Sequence, residues 1–159
     1  MSRFEVRHVH MSDPLVEPLL EDLVREYTGR YGRLHEDLKT YPADRFAPPD
    51  GAFVLLVEND AAIAGGAFQR YSGDTAELKR IWTHSAHRRR GLAAVVVAEL
   101  EREAVKRGYT RIFLTTGPRQ PEARDLYLAT GYHPLFDVDS PPAEKPLPFH
   151  KLLPVPSVP

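Results

Sequence analysis

Three consecutive arginines followed by a glycine are the residues of this sequence best suited to bind an anion. They stand at Arg88–Arg90 and Gly91, directly before an apolar periodic segment at Leu92–Arg107 that predicts a long helix. The first turn of a helix has backbone N–H groups without intrahelical partners and carries the positive end of the helix dipole. Glycine at position 91 lets a phosphate come close to the backbone. The segment predicts a phosphate-binding turn; the alternative is a solvated basic turn on a surface helix.

The elements around this turn follow a recognisable order. Strand-like Leu78–Thr83 precedes it, and further along, within Phe113–Tyr132, a strand leads to a helix that carries Leu126-Tyr127 and ends at a glycine. Arg88–Ala93 also reads as Arg, two residues, Gly, one residue and Ala. Together these segments resemble the GNAT superfamily, the Gcn5-related N-acetyltransferases, over roughly residues 76–135.

The resemblance implies that the anion is the pyrophosphate of acetyl-CoA, the expected cosubstrate, with Arg88 as a side-chain contact and backbone amides as the other donors. It also implies that the strand before the turn is splayed from its neighbour and pairs with the pantetheine arm, much as an added strand would. Trp82 is expected to line the acceptor side. The cofactor-binding residues expected from the resemblance are Ile81, Trp82, Thr83, Arg88, Arg89, Arg90, Gly91, Leu92, Ala93, Ala94 and Gln120.

Tyr127 is the predicted general acid. After an amine attacks a thioester, the departing thiolate has to be protonated, and a phenol within hydrogen-bond reach can do that. The family pattern is Asn, two residues, Ala, two residues and Leu-Tyr, which Ala123, Leu126 and Tyr127 fit, whereas Gln120 stands at the asparagine position. The alternative is a tyrosine that only packs in the core.

Glu77 is the predicted general base. An amine is protonated at neutral pH and must lose a proton before it can attack. The resemblance implies that a glutamate near the start of the motif strand removes this proton, often through water. The alternative is an exposed carboxylate paired with Lys79 or Arg70.

The acceptor pocket is expected between the first two strands, at roughly Tyr27–Phe46, because helices in that part of the chain usually shape it in the family. Tyr31, Glu36 and Asp37 are the predicted substrate-binding residues. Carboxylates beside aromatic rings suit a small cationic amine.

Composition limits the other functions. The chain has 159 residues, a net charge of −1 and no cysteine. We therefore expect one domain at residues 1–153 with a proline-rich tail at 154–159, no nucleic-acid partner, no disulfide and no cysteine acyl-enzyme. The seven histidines show no metal-ligand spacing, so no metal is expected. The N-terminus resembles no signal peptide and no apolar run reaches membrane-spanning length, which predicts a cytoplasmic protein without membrane association.

The order of elements predicts the fold class. It runs strand, one or two helices, three strands, helix, strand, helix and two strands, with a bulge or close backbone approach expected at Gly65-Gly66 and a loop at Asp137–Pro148. This order indicates an α/β (α+β) protein, and the resemblance implies a mixed, mostly antiparallel sheet of about seven strands flanked by about four helices.

The predicted function is direct transfer of an acetyl group from acetyl-CoA to a primary amine of a small molecule. Two alternatives stay open within the fold: an acyl-CoA sensor with little catalysis, and an acyltransferase for longer chains. A nucleic-acid binder that uses Arg88–Arg90 is disfavoured by the neutral net charge. A homodimer is possible through sheet edges.

Overall fold

The computed structural model describes residues 4–32 and 37–155. In chain order its strands and α-helices are β1 (Glu5–His8), α1 (Glu17–Tyr31), α2 (Asp37–Thr40), β2 (Ala52–Glu58), β3 (Ala61–Ser72), β4 (Thr75–Thr83), α3 (Leu92–Lys106), β5 (Arg111–Thr116), α4 (Pro121–Ala129), β6 (His133–Pro134) and β7 (Leu147–Leu152). Short 3-10 turns lie at Pro14–Val16, Ala43–Phe46 and Ser85–His87.

All seven strands form one sheet, in the order β1-β2-β3-β4-β5-β7-β6. Neighbouring strands are antiparallel except β4 and β5, which run parallel. A parallel neighbour needs a crossover, and α3 supplies it. The structure confirms the predicted mixed, mostly antiparallel sheet with four helices over the described residues.

Both faces of the sheet are covered, which explains why six consecutive residues of β2 are buried and why its sequence is an unbroken apolar run. One buried cluster joins α3 and α4 to the sheet through residues such as Val96, Leu100 and Phe149. The other joins α1 to the opposite face through Leu19, Leu23 and their neighbours. The candidate site lies beside the second half of β4 and is lined by residues of both helix layers, from α1 and from α4.

The final strand starts earlier than predicted. The sequence predicted a loop at Asp137–Pro148, but β7 begins at Leu147 and includes the proline. Proline lacks an N–H donor, yet the Pro148 carbonyl still accepts a hydrogen bond from the Leu135 amide at 2.9 Å. The neighbouring strand β6 is short and consists of His133–Pro134.

A bulge interrupts the pairing of β3 and β4, as the Gly65-Gly66 pair predicted. Gly65 lies opposite Trp82 and Ala67 opposite Lys79, so that Gly66 alone faces two residues, Arg80 and Ile81. A Cβ atom on Gly66 would lie 2.5 Å from Ile81 Cδ1, so a side chain at this position would require Ile81 to move. The extra residue of a bulge changes which face the following side chains occupy.

We expect Gly51→Ala to lower the free energy of unfolding by about 2–3 kcal/mol. Its Cβ would lie 2.3 Å from the Arg45 carbonyl oxygen and 2.6 Å from Phe46 Cα, and backbone atoms cannot turn aside as a side chain can. Urea unfolding would measure the change. Gly29→Ala is the matched control, because its Cβ would meet nothing within 4 Å inside α1, and we expect it to stabilise the protein by about 0.5–1 kcal/mol. Equal stability of Gly51→Ala and wild type would contradict the close approach at this turn.

Candidate active site

β4 and β5 pair over only three residues and then separate. Thr75–Glu77 lies beside Arg111–Phe113, and no pairing continues beyond them. A cavity of about 680 Å³ opens at this point. Its walls are the second half of β4, the turn after β5, α4, the C-terminal end of α1 and the loop before β7. The parallel pair in the sheet therefore forms a cleft that a ligand can enter.

The β4 backbone beside this cleft has groups that are not used by β3. The His84 amide donates to the Ile63 carbonyl at 2.8 Å, which makes Trp82 and Gly65 the next hydrogen-bonded pair of the ladder. Thr83 lies between these bonded positions, so its N–H and C=O point away from β3 toward the β5 side. Ile81 lies in the cavity wall itself. The arrangement suits an extended ligand that pairs with a strand edge.

The start of α3 offers backbone donors without a side-chain cap. Gly91 precedes the helix in a left-handed conformation, with φ of 72°, and caps it with no side-chain hydrogen bond. A Cβ at this position would meet no atom of the described protein within 4 Å, so the space in front of the helix is open. The first-turn amides, Leu92 to Ala94, can therefore bind an anion, aided by the helix dipole.

The three arginine side chains of this turn differ. Arg90 is held by Glu58, with Nη2 2.8 Å from Oε2, and also lies 2.7 Å from His87 Nδ1. The hydrogen bond from Arg90 lowers the pKa of the Glu58 carboxyl. All three residues are exposed, but among the described residues Arg90 is the one of the three whose guanidinium is held in an ion pair. Arg88 is thus better placed than Arg90 to give its guanidinium to a ligand, whereas the Arg90 side chain fixes the turn to the end of β2.

Tyr127 lies in α4 and its side chain is buried in the cavity wall, with 5% of the residue exposed. Its ring packs against Tyr132 and Phe149, at centroid distances of 5.5 and 5.8 Å. Burial raises the pKa of the Tyr127 phenol. The group therefore stays protonated near neutral pH and can donate a proton to an anion that develops in the cavity.

Gln120 supports the turn between β5 and α4. Its Oε1 accepts from the Gly117 amide at 3.0 Å and from the Tyr31 hydroxyl at 3.1 Å. A Cβ on Gly117 would lie 1.6 Å from the Tyr31 hydroxyl, so α1 presses directly on this turn. Arg30 and Arg119 reinforce the contact, the latter by donating to the Arg30 carbonyl at 2.9 Å. Gln120 and Tyr31 thus both line the cavity and connect its two sides.

Glu77 occupies a hydrogen-bonded chain beside the cavity. Tyr41 donates to Gln69 Oε1 at 2.6 Å, and Gln69 donates to Glu77 Oε1 at 2.8 Å. Lys79 Nζ lies 3.9 Å from the other carboxylate oxygen of Glu77. The alternative interpretation named an exposed carboxylate paired with Lys79 or Arg70; Glu77 lies near Lys79, but its side chain is only 13% exposed. Glu77 itself is not among the residues that line the cavity.

A family model described as the acetyltransferase (GNAT) family matches residues 16–132, well over half of the chain. The chain belongs to the GNAT family. This confirms the resemblance found in the sequence.

Individual relatives agree with this GNAT assignment. The uncharacterized N-acetyltransferase YsnE of Bacillus subtilis is 30% identical over 99 residues, a match that covers 61% of this chain and 66% of the relative, just under two thirds of its length. An acetyltransferase from Streptococcus agalactiae superposes with a TM-score of 0.71 at 22% identity, over 96% of this chain and 100% of that one. The PaiA N-acetyltransferase from Thermoplasma acidophilum, crystallised with coenzyme A, gives 0.70 at 15% identity over 95% and 99%. The two structures show that the fold is shared.

Two expectations for the acceptor side of this GNAT chain differ from the structure. The Trp82 indole was expected to line the acceptor side, but it is buried against α1, where Nε1 donates to Asp22 Oδ2 at 3.0 Å. Asp37 begins α2 but does not line the cavity, although Leu38 does. Glu36 lies outside the described residues. Of the three predicted substrate-binding residues, Tyr31 is the one that the structure places in the cavity wall.

Lys79 and Arg80 are cavity residues that the sequence analysis did not assign. Because of the bulge, these successive side chains share one face of β4, and both lie over the Tyr41 ring, with Lys79 Nζ 6.0 Å and Arg80 Cζ 4.9 Å from its centroid. The Gly65-Gly66 pair was the available signal, since a bulge predicted there implies a change of face on the partner strand.

The described residues contain no group of histidine, cysteine or carboxylate side chains that could hold a metal ion. Within residues 4–32 and 37–155 no helix is long and apolar enough to cross a membrane.

Proposed function

We propose that this GNAT chain transfers an acetyl group from acetyl-CoA to a primary amine of a small molecule, by direct attack in a ternary complex. The observation that carries the proposal is the separation of β4 from β5 after Glu77 and Phe113, next to the uncapped start of α3. The cleft accepts an extended arm, and the helix start accepts a phosphate.

The residues present fit acetyl-CoA. The amides at the start of α3 and the Arg88 side chain would hold the pyrophosphate, since this helix start has an open approach at Gly91. Ile81 and Thr83 would offer backbone groups to the pantetheine arm, and Gln120 would hold the far wall in place through Gly117. Acetyl-CoA supplies an activated thioester, and these residues fix its position relative to the amine.

The cavity and its neighbouring residues support an acid and a base for the proposed reaction. Tyr127 would give its phenolic proton to the departing thiolate, because burial keeps the phenol protonated. Glu77 would take the proton of the acceptor ammonium through water, since Gln69 orients its carboxylate and Lys79, 3.9 Å from that carboxylate, lines the cavity. The chain has no cysteine, so no cysteine acyl-enzyme can form and direct transfer is the simpler route.

Calorimetric titration with acetyl-CoA and with free CoA tests the cofactor, and thiol release in a panel of primary amines tests the transfer. We expect binding of both nucleotides and release of thiol with at least one amine. Binding without release from any amine would favour the sensor alternative. Faster release from a longer acyl-CoA than from acetyl-CoA would favour the longer-chain alternative, and absence of binding would overturn the proposal.

The proposal names a small-molecule acceptor and includes no nucleic acid, membrane or metal. The cytoplasmic location and the homodimer remain predictions.

A further inference from the structure

Arg80 is a buried arginine without a counter-ion. It is 9% exposed and lines the cavity. Its Nε is enclosed and has no hydrogen-bond partner. Across residues 4–32 and 37–155, no ion pair or side-chain hydrogen bond is made by its Nη nitrogens either. Arg80 therefore presents a buried guanidinium at the cavity wall without an anion to accept its hydrogen bonds.

Aromatic packing only partly compensates for the burial of this charge. The Arg80 guanidinium lies 4.9 Å from the Tyr41 ring centroid and 5.6 Å from that of Phe46. Burial lowers the pKa of Arg80, while the nearby Tyr27, Tyr41, Asp37 and Glu77 raise it through space. An arginine stays charged in proteins. A buried arginine without a hydrogen-bonded anion therefore carries a desolvation cost, and no ion pair offsets it here.

The backbone at Arg80 carries a second cost. Its φ is 64°, a left-handed conformation that glycine adopts freely at this position of a bulge and other residues adopt rarely. Strained positions of this kind cluster at functional sites, where the surrounding structure holds them in place. The strained residue lines the cavity, and its charged side chain shares the Tyr41 face of β4 with Lys79.

We propose that Arg80 binds a carboxylate of the acceptor, so that the acceptor class is an amine that also carries a carboxylate, as an amino acid does. The proposal rests on the proposed acetyl transfer and names the substrate class of the same site. Both Nη nitrogens of a guanidinium can donate to the two oxygens of one carboxylate, a match of shape as well as of charge.

The charges of the cavity wall agree with an anionic group on the acceptor. Lys79, Arg80 and Arg119 line the cavity, against the single carboxylate of Glu144 among the described lining residues. Glu144 lies 3.9 Å from Arg119 and is mostly exposed. The sequence suggested carboxylates and a cationic acceptor, but the described cavity wall is basic. If the acceptor carries both groups, its carboxylate can bind to this basic wall while its amine stays available to attack the thioester.

The test compares each amino acid of a panel with its own carboxamide, which keeps the amine and loses the anion. In the wild type we expect kcat/KM for the preferred acid to exceed that for its carboxamide by about 10- to 100-fold, as expected when a buried charged donor loses its partner. In Arg80→Met we expect this preference to fall close to one, mainly through a higher KM for the acid. Arg80→Lys should retain part of it.

Arg70→Met is the matched control, because it removes the same charge from an arginine that pairs with Asp50 on the surface outside the cavity. We expect its acid preference to equal that of the wild type. Thermal unfolding of Arg80→Met should occur at or above the wild-type temperature, since methionine fills the site without a buried charge. A fall in stability with equal losses for acid and carboxamide would mean that Arg80 is structural, and would overturn the inference.

A binding measurement distinguishes a failure of this inference from a failure of the proposed function. Calorimetry of the preferred acid in the presence of free CoA requires no turnover, and we expect binding in the wild type that is lost in Arg80→Met while CoA affinity is retained. If CoA itself does not bind, the proposed function fails. If CoA binds and the carboxamides bind or react as well as the acids, the carboxylate site alone is wrong.

Discussion

Replacing Tyr127 by phenylalanine should lower kcat by about 10²- to 10⁴-fold, which is the usual contribution of a positioned general acid. The substitution removes one hydroxyl and leaves the ring in its contacts with Tyr132 and Phe149. Affinity for CoA should therefore change little. Such a split between kcat and cofactor affinity indicates a role in the chemical step rather than in packing.

The environment of Tyr127 gives the physical reason. Burial raises the pKa of its phenol, so the neutral form that can donate a proton is favoured over the whole neutral range. The rate should then rise with pH as the acceptor amine loses its proton, and Tyr127 should cause no fall below about pH 10, the pKa of an unperturbed phenol. A decline near pH 8 that disappears in Tyr127→Phe would contradict a raised pKa.

Tyr132→Phe is the matched control for this variant. The two rings are in contact, but the Tyr132 hydroxyl donates to Glu101 Oε2 at 2.7 Å instead of lining the cavity. Its loss should lower stability by about 1.5–3 kcal/mol, the range for a hydrogen bond to a charged group, while kcat stays near that of the wild type. Stopped-flow thiol release and urea unfolding would measure the two effects. If both variants lost kcat equally, Tyr127 would have no special role as an acid.

Features that depend on neighbouring residues were predictable from the sequence. The turn proposed to bind the pyrophosphate consists of the Gly91 backbone and the first turn of α3, and the start of this helix was predicted to the residue. Its end was also predictable, because the Tyr109 amide bonds back to the Ala104 carbonyl across the left-handed Gly108. Short spacing in the chain fixes these groups relative to one another.

Features that depend on register or on distant segments were not predicted, although the Gly65-Gly66 pair signalled the bulge itself. In a regular strand, alternation would place Lys79 and Arg80 on opposite faces, but the bulge places both beside Tyr41. The same shift places the Trp82 indole against α1. Gln120 meets Tyr31 across 89 residues of chain, which no local pattern encodes. The sequence therefore predicted the turn before α3 in more detail than the packing between β4 and α1.

The double variant Arg88→Ala, Gly91→Glu should weaken the binding of acetyl-CoA and of free CoA by more than about 100-fold, since it loses one charge-assisted contact and gains a repulsion. Gly91 faces open space at the start of α3, so a glutamate side chain would occupy the approach that a phosphate would use. Its carboxylate would also compete for the first-turn amides as an internal anion. Calorimetry would measure the loss, and circular dichroism would check that the fold is kept.

Single variants separate the contribution of the Gly91 backbone to CoA binding from that of each arginine side chain. Gly91→Ala adds only a Cβ in open space, at a φ of 72°, and should cost about 1–2 kcal/mol of stability with a small loss of CoA affinity. Arg90→Ala removes an arginine whose side chain is already paired with Glu58 at 2.8 Å. It should therefore weaken CoA binding less than Arg88→Ala does, although the three residues are adjacent in one basic turn.

The salt dependence gives an independent check on the same site. Contacts between exposed arginines and phosphates are screened, so CoA affinity of the wild type should fall as ionic strength rises, and the Arg88→Ala variant should show a shallower fall. Backbone amides carry no net charge, and the part of the affinity that they supply should persist at high salt. If Arg90→Ala were the more damaging variant and had the shallower salt dependence, the pairing of Arg90 with Glu58 would have to break on binding. The ligand would then meet the turn from the β2 side.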